Sequence, residues 1–328
     1  MEVIPKRGIV HSCGVDSPLP ASKFSMEDTM YVVLGASGNT GHIVAKNLLA
    51  RQQKVRVVGR NAAHLQPLAA KGAEIFVGDV SDAGALSQAF DKADAAYVMI
   101  PPELKSDDIR GFQERVSDAT VAALKNSAVK HIVLLSSIGA DKAGGTGPVA
   151  GLHSFEEKLN QLDGANVLNL RAGYFMENTL PQAGVIRATG AVIGPVRPDL
   201  KLPMIASQDI GAAVADALLR LDFRGHQTRE LLGQRDLSYT EATAIIARAI
   251  GKPDLKYLQG AEDQVRAALV QLGLSDNVAG QILELAAALN SGHIRALEPR
   301  TGRNTTGTSY ETFVAEVFVP AYRQQPAA

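Results

Sequence analysis

The feature that most constrains this chain is a glycine-rich stretch, Gly35–Gly41, which directly follows four apolar or aromatic residues, Tyr31–Leu34. Its glycines, Gly35, Gly38 and Gly41, are spaced three apart, and the residues after them have the composition of a helix. A strand, a tight glycine turn and a helix form the context of a dinucleotide-binding loop, whose pyrophosphate contacts the helix N-terminus. The same pattern also occurs in ordinary strand-to-helix turns, so the interpretation depends on the rest of the chain.

The composition argues against several other classes of protein. The net charge is −1, Trp is absent, and aromatic residues make up 5% of the 328 residues. Such a chain lacks the charge that attracts nucleic acid or anionic membranes and the rings that stack on single-stranded bases. No apolar run reaches the roughly 20 residues of a membrane-spanning helix. We therefore predict no nucleic-acid partner and no membrane association.

The cysteine and histidine content of the chain limits which cellular compartment and which metal sites can be expected. The single cysteine, Cys13, excludes an internal disulfide and a cysteine-built metal site, which fits a cytoplasmic protein. The seven histidines show no metal-ligand spacing, so no metal site is predicted.

Residues 1–28 combine Pro, Gly and Ser without a sustained period, which predicts a disordered extension. The alternative is that translation begins at Met26 or Met30.

Short apolar runs alternate with helical segments from the glycine stretch to residue 173. Apolar strands that alternate with helices imply right-handed crossovers and a parallel sheet covered on both faces. The predicted fold class is α/β, with a Rossmann-type doubly wound parallel sheet in an NAD(P)-binding domain of residues 29–173. After the first strand, the predicted strands are Val55–Val58, Ala73–Val77, Ala95–Ile100, His131–Leu135 and Ala165–Leu170.

Local signals place the helices between and after these strands. Pro67 is expected to break the helix that Ala62–Lys71 otherwise predicts. Ser81 is expected to cap the next helix. From residue 174 onward helical patterns dominate. We predict that residues 174–328 form a smaller, mainly helical lobe that binds the substrate, with parts packed back on the sheet.

Ligands of doubly wound folds bind at the carboxyl ends of the strands. For any single side chain at these ends, packing in the core is the alternative role. Ile138 is a further candidate for the substrate pocket. The predicted cofactor-binding residues are Gly35, Ser37, Gly38, Asn39, Thr40, Gly41, Arg60, Asp79, Val80, Met99, Ile100, Pro101, Ser136, Ser137, Tyr174, Phe175 and Asn178.

Arg60 indicates which dinucleotide is bound. NAD-binding folds commonly carry an acid at the end of the second strand, where it accepts from the ribose hydroxyls, whereas this chain has Arg60 there. A guanidinium pairs well with a phosphate, so we predict NADP(H) in preference to NADH. A solvated arginine is the alternative. Asp79 is expected to accept from the adenine amino group, or else to bond its own backbone in a turn.

Six segments of the chain together show a family resemblance. They are Val33–Gly41, Val57–Arg60, Val77–Asp79, Val133–Ser137, His153 with Glu157, and Leu170–Asn178. These segments resemble the NmrA-like group of atypical short-chain dehydrogenases/reductases, over roughly residues 29–325. The resemblance implies an NADP(H)-binding Rossmann domain with a small C-terminal lobe. It also implies two kinds of function, since some members resemble NADPH-dependent quinone or azo-dye reductases and others act as regulators through a protein partner.

The chain departs from ordinary short-chain dehydrogenases in its proton donor. Those enzymes use Tyr with Lys four residues later, and no Tyr here has Lys at that spacing. The matching stretch contains His153 and Glu157, which share a helix face, so His153 is the candidate proton donor and Glu157 its orienting group. The alternative is a histidine at a helix start paired with a solvated glutamate.

Two functions follow from these residues. The first is an NADPH-dependent reductase that transfers hydride to a quinone-like or other small electrophilic acceptor, a reaction that mainly requires the two rings to be held together. The second is a non-catalytic NADP(H) sensor that regulates a partner protein. A nucleotide-sugar epimerase or dehydratase is disfavoured because that chemistry generally needs the Tyr and Lys pair.

Overall fold

The structure of the protein is a computed structural model that describes residues 29–324. The extension predicted for residues 1–28, including Cys13, lies outside the described residues. No helix within residues 29–324 is long and apolar enough to cross a membrane.

Strands build the frame of the molecule. Within residues 29–324 they are β1 (Met30–Val33), β2 (Lys54–Gly59), β3 (Glu74–Val77), β4 (Ala95–Val98), β5 (His131–Ser137), β6 (Asn166–Ala172), β7 (Tyr174–Phe175), β8 (Val192–Gly194), β9 (Leu202–Ile205), β10 (His226–Leu231), β11 (Arg235–Leu237) and β12 (Tyr257–Gln259). Seven of them form one parallel sheet in the order β10-β6-β5-β4-β1-β2-β3. This sheet confirms the predicted α/β class.

Within residues 29–324, helices either cover the two faces of the large sheet or build the C-terminal part of the molecule. They are α1 (Asn39–Ala50), α2 (Ala62–Ala69), α3 (Ala83–Ala89), α4 (Ile109–Lys125), α5 (Val149–Leu159), α6 (Gln182–Thr189), α7 (Ser207–Arg220), α8 (Tyr239–Ile250), α9 (Glu262–Gln271), α10 (Asp276–Asn290), α11 (Tyr310–Phe313) and α12 (Val319–Arg323). A 3₁₀ turn (Met176–Thr179) and a π-helical turn (Val314–Phe318) complete the helical segments.

Two hydrophobic cores lie on the two faces of the sheet. Successive residues of β1 alternate between them, because side chains along a strand point to opposite faces. One core joins α1 and α7, with Leu48 and Val214 among its buried residues. The other joins α3, α4 and α5, with Val116 and Phe155 fully buried. Burial on both faces explains why the strands could be recognised as continuous apolar runs.

The C-terminal part of the chain contributes to two structures. β10 pairs with β6 from His226 against Val167 to Leu231 against Ala172, so a late segment completes the large sheet. The remainder forms a third core between α6, α8, α10 and α11. Two small sheets accompany it, β11-β9-β7 and β12-β8. The lobe is therefore less helical than predicted, since strands of two to four residues show no readable alternation. The division at residues 173 and 174 stays a prediction.

Two local predictions were wrong. Pro67 does not break its helix, because α2 continues through it. The proline is exposed and removes only the hydrogen bond that its own N–H would donate, toward Ala63. Asp82, not Ser81, caps α3 and accepts from the first-turn N–H groups. The Ser81 hydroxyl instead donates to Asp79.

Candidate functional site

The glycine stretch has the backbone geometry that a dinucleotide loop requires. Gly35 has a φ of +63°, in the left-handed region where a side chain would be strained. A Cβ at Gly41 would lie 2.4 Å from the carbonyl oxygen of Gly35. Glycine at position 41 therefore lets α1 begin this close to the end of β1.

The N-terminus of α1 is open to a ligand. Gly38 occupies the N-cap position without a side chain, and the first turn contains no acidic residue. Ser37, Gly38 and Asn39 are exposed. First-turn N–H groups have no partner within their helix, and the helix dipole is positive at this end, so the position favours an anion such as a pyrophosphate. The residues present fit a dinucleotide.

The end of β4 supports this loop. The Tyr97 hydroxyl lies 2.8 Å from Oγ1 of Thr40, and both residues are buried. A Cβ at Gly35 would lie 2.8 Å from Sδ of Met99, so the loop and the strand end are in contact. The half-buried residues at this strand end are Met99, Ile100 and Pro101.

Arg60 lies at the end of β2, where the ribose of a dinucleotide is expected. Its side chain is 65% exposed, and Nη1 is 3.6 Å from Oε2 of Glu103.

Asp79, after β3, accepts at Oδ1 from the backbone N–H and the hydroxyl of Ser81, at 2.8 and 2.7 Å. These bonds, with the nearby charge of Arg60, lower the pKa of Asp79. Oδ1 of Asp79 therefore makes the backbone hydrogen bond of a turn, which was the alternative to a contact with adenine. Val80 is 8% exposed and packs in the core, which leaves its backbone for a ligand.

A cavity of about 380 Å³ lies at the carboxyl ends of β5 and β6. Its volume is within the range of small-molecule sites. Four predicted residues line it, Ser137, Tyr174, Phe175 and Asn178, as does Ile138. The lining residues that sequence reasoning missed include Lys201, Pro203, Asp236, Leu285, Leu289, Ile294 and Arg295.

The missed residues come from the C-terminal lobe. Lys201 pairs with Glu241, and Asp236 pairs with Arg300. Arg295 has no ion pair or hydrogen bond within residues 29–324. Among the charged residues that line the cavity, Arg295 is therefore the one available to a ligand. No sequence motif marks it, because it lies in an irregular segment after α10.

A buried ion pair lies next to the cavity and was also missed. The Glu156 carboxylate accepts from Nε and Nη2 of Arg171 at 2.9 and 2.6 Å, and from Oγ of Ser136 at 2.5 Å. The side chains of Glu156 and Arg171 are 4% and 13% exposed. Ser136 is thus bound to Glu156. The sequence signal that could have revealed Glu156 is its position seven residues after Val149, because this spacing places both residues on the buried face of α5.

The predicted catalytic pair is not brought together. Nδ1 of His153 lies 2.8 Å from the carbonyl oxygen of Ala140. Glu157 is exposed and makes no hydrogen bond or ion pair with His153 in the described chain. The four-residue spacing places both on one helix face, but the backbone carbonyl orients the imidazole instead. Neither residue lines the cavity, and their catalytic role stays a prediction.

Two tyrosines lie where the lobe meets the sheet. The hydroxyl oxygens of Tyr174 and Tyr239 are 2.7 Å apart. Burial raises the pKa of Tyr174, although hydrogen bonds from Tyr239 and Asn178 oppose the change. Burial likewise raises the pKa of Tyr239 well above its usual value. Both phenols therefore remain protonated at neutral pH.

Within residues 29–324, no group of three or more His, Cys, Asp and Glu side chains is arranged to hold a metal ion. The site is built of glycine backbone, the exposed Arg60, and a mainly apolar cavity that Tyr174 and Arg295 also line.

Comparison with known proteins identifies relatives over most of the chain. The model of the NmrA-like family matches residues 27–315. The NAD(P)H azoreductase of Xenophilus azovorans is 27% identical over 262 residues, which span 79% of this chain and 86% of the azoreductase.

Solved structures share the fold at lower identity. The NADPH-dependent quinone oxidoreductase QOR2 of Escherichia coli, complexed with NADPH, has a TM-score of 0.74 and 24% identity, over 88% of this chain and 100% of the other. NmrA, a negative transcriptional regulator in complex with NADP, has a TM-score of 0.70 and 17% identity, over 90% and 96%.

Proposed function

The chain belongs to the NmrA-like family, and from that premise we propose that it is an NADPH-dependent reductase of a quinone-like or other small electrophilic acceptor. The observation that carries the proposal is the cavity at the ends of β5 and β6. Carboxyl ends of neighbouring parallel strands share one edge of a sheet, so the cavity and the glycine loop after β1 open on the same edge. This arrangement suits a dinucleotide that extends from the loop to the cavity.

Arg60 supports a preference for NADPH. Its exposed guanidinium follows β2, and its partner Glu103 is 3.6 Å away, a loose contact that a 2′-phosphate can replace. When bound, the reduced nicotinamide supplies the hydride. The residues of the chain bind the phosphates, hold the acceptor and limit the access of water.

The walls of the cavity support an aromatic acceptor that is already electrophilic. Phe175, Leu289 and Ile294 provide apolar surface, and Arg295 provides a positive charge. Positioning two rings in such a pocket can supply much of the rate enhancement for hydride transfer. The name of the azoreductase relative supports the same class of acceptor.

Turnover is tested with the purified full chain, NADPH and a panel of quinones and azo compounds. We expect acceptor-dependent oxidation of NADPH. Binding of NADPH without oxidation by any acceptor in the panel would contradict the reductase proposal.

The cofactor preference is tested by Arg60→Ala. This variant should bind NADPH about 30-fold more weakly, because a charge-assisted bond to phosphate is lost. NADH binding should be unchanged. Arg220→Ala is the matched control, since Arg220 is a surface arginine paired with Asp222. Equal losses for NADPH and NADH would refute the phosphate role.

The second candidate is a non-catalytic NADP(H) sensor that regulates a partner protein. The lack of a Tyr and Lys pair at four-residue spacing supports it, as does the fold shared with a transcriptional regulator. Enzymatic turnover that Ser137→Trp abolishes, by filling the cavity, would contradict the sensor function.

A further inference from the structure

Tyr174 is held at the cavity by the backbone around it. It is the first residue of β7 and pairs with Met204 of β9. The preceding residue, Gly173, leaves no room for a side chain, since a Cβ there would lie 2.3 Å from the carbonyl oxygen of Pro203. The Tyr174 ring is thus fixed at the point where the large sheet ends and the small sheet begins.

The hydrogen bonds around Tyr174 leave its own proton available. Tyr239 is 7% exposed, and within residues 29–324 Tyr174 is the hydrogen-bond partner of its hydroxyl. The Tyr239 ring stacks on Tyr257, at 4.7 Å between centroids. A hydroxyl donates one hydrogen and can accept two. Asn178 lines the same cavity and lowers the pKa of Tyr174. When Tyr239 donates to the Tyr174 oxygen, the phenolic hydrogen of Tyr174 is free for a ligand in the cavity.

The other candidate proton donor lies elsewhere. The His153 imidazole is bonded at Nδ1 to the Ala140 carbonyl, and His153 does not line the cavity. Of the tyrosines in the described chain, Tyr174 is the one that lines it.

We propose that Tyr174 is the proton donor of the reaction, and that Tyr239 and Asn178 are its positioning residues; this rests on the proposed reductase function. Tyr174 first donates a hydrogen bond to a carbonyl oxygen of the acceptor. As hydride brings two electrons to the acceptor, the O–H bond of Tyr174 breaks and a new O–H bond forms on the acceptor oxygen. The phenolate that remains accepts from Tyr239 and Asn178, and it regains a proton from water. The sum is acceptor plus NADPH plus a proton, giving reduced acceptor plus NADP⁺.

The first test is equilibrium binding, which does not depend on turnover. The full chain is saturated with NADP⁺, which holds no hydride to transfer, and is titrated with menadione as the quinone probe. Tyr174→Phe should bind menadione about 10-fold more weakly, because the donor to its carbonyl is lost. Tyr257→Phe is the matched control, since its hydroxyl donates to the Val196 carbonyl outside the cavity. Unchanged menadione affinity in Tyr174→Phe would overturn the proposal.

The second test is turnover with NADPH and menadione. Tyr174→Phe should lower kcat about 100-fold, the usual scale for a general acid, and should abolish the solvent deuterium isotope effect. A rate and isotope effect equal to wild type would remove the proton-donor role and leave the reductase function standing. Wild-type protein that binds menadione but does not oxidise NADPH would overturn both.

A third variant keeps the proposal testable even if Tyr174→Phe does not fold. Asn178 is exposed, so Asn178→Ala is expected to fold. Losing one donor to the phenolate should lower kcat several-fold and move the alkaline limb of the pH profile to higher pH. An unchanged kcat and pH profile would contradict the assigned role of Asn178 and with it the proposal.

Discussion

The two halves of the candidate site are built in different ways. The dinucleotide half consists of Gly35–Gly41 with Arg60, and its shape comes from backbone geometry that glycine alone permits. The cavity half consists of the residues that line the cavity, and they come from segments as distant as Ser137 and Arg295. A binding loop whose shape is set by its own backbone tolerates almost no substitution of its glycines. A cavity assembled from side chains has a shape that depends on the packing of the whole C-terminal lobe.

Alkaline pH should separate the two halves most strongly. Burial is the chief cause of a raised pKa at Tyr31 and Tyr97 in the large sheet, and at Tyr174, Tyr239, Tyr257 and Tyr310 in the C-terminal lobe, so more of these groups lie in the lobe. Each is protonated in the folded state above pH 10, where the unfolded chain has lost the proton. Their stabilisation is therefore complete below pH 10 and is lost as pH rises further, by about 1.4 kcal/mol per pH unit for each tyrosine.

Urea unfolding between pH 9 and pH 11 measures this loss, and hydrogen exchange should show the lobe opening first. Tyr239→Phe should make the dependence on pH less steep. A free energy of unfolding that is constant over this range would contradict the prediction.

The buried Glu156 and Arg171 pair should give the next largest effect. Glu156→Gln keeps the shape but leaves the Arg171 guanidinium without its carboxylate, at a cost of about 3 kcal/mol in the free energy of unfolding. Asp222→Asn, which breaks an exposed pair with Arg220, should cost less than about 1 kcal/mol. Similar losses of unfolding free energy in the two variants, measured by urea unfolding, would show that burial does not increase the contribution of the ion pair to stability.

Gly41→Ala tests the dinucleotide half directly. The added Cβ meets backbone, so α1 must shift, at a cost of about 2 kcal/mol in stability. The displaced helix N-terminus should also weaken NADPH binding about 10-fold. Gly307→Ala is the control, because nothing lies within 4 Å of a Cβ there. Retention of wild-type NADPH affinity by folded Gly41→Ala protein would remove the argument that the loop binds through its backbone.

Glu103→Gln should give the smallest effect. Removing the carboxylate 3.6 Å from Arg60 frees the guanidinium for phosphate, so NADPH should bind about 3-fold more tightly. NADH affinity should not change, and the gain should shrink at high salt. Glu316→Gln, at an exposed position outside the site, is the control for net charge. An equal gain for NADH would place the effect outside the phosphate subsite.

The sequence predicted the parts of the molecule whose signals are local. The strand Met30–Val33 is a continuous apolar run, and Gly35, Gly38 and Gly41 lie where a side chain would be strained or crowded, so their positions can be recognised from the sequence. Glu156 was missed because Glu157 stood at the spacing of four from His153, while burial of Glu156 depends on how α5 packs on the sheet.

The cavity could be predicted only from its sheet side. Ser137 and Tyr174 follow recognisable strands, whereas Lys201, Asp236 and Arg295 reach the cavity through the packing of α10 and of strands too short to carry a pattern. Their positions are set by contacts far apart in the chain, which no local spacing records.

The pairing of β10 with β6 has a consequence for the order in which the molecule assembles. During synthesis on the ribosome, β6 emerges with an unpaired outer edge and keeps it until His226–Leu231 has been made. An exposed parallel edge can recruit other chains, and nascent chains fold as their segments emerge. The segment between Gly173 and Gly225 is therefore the interval in which a partly made chain is most open to association, and in which a chaperone would protect it best.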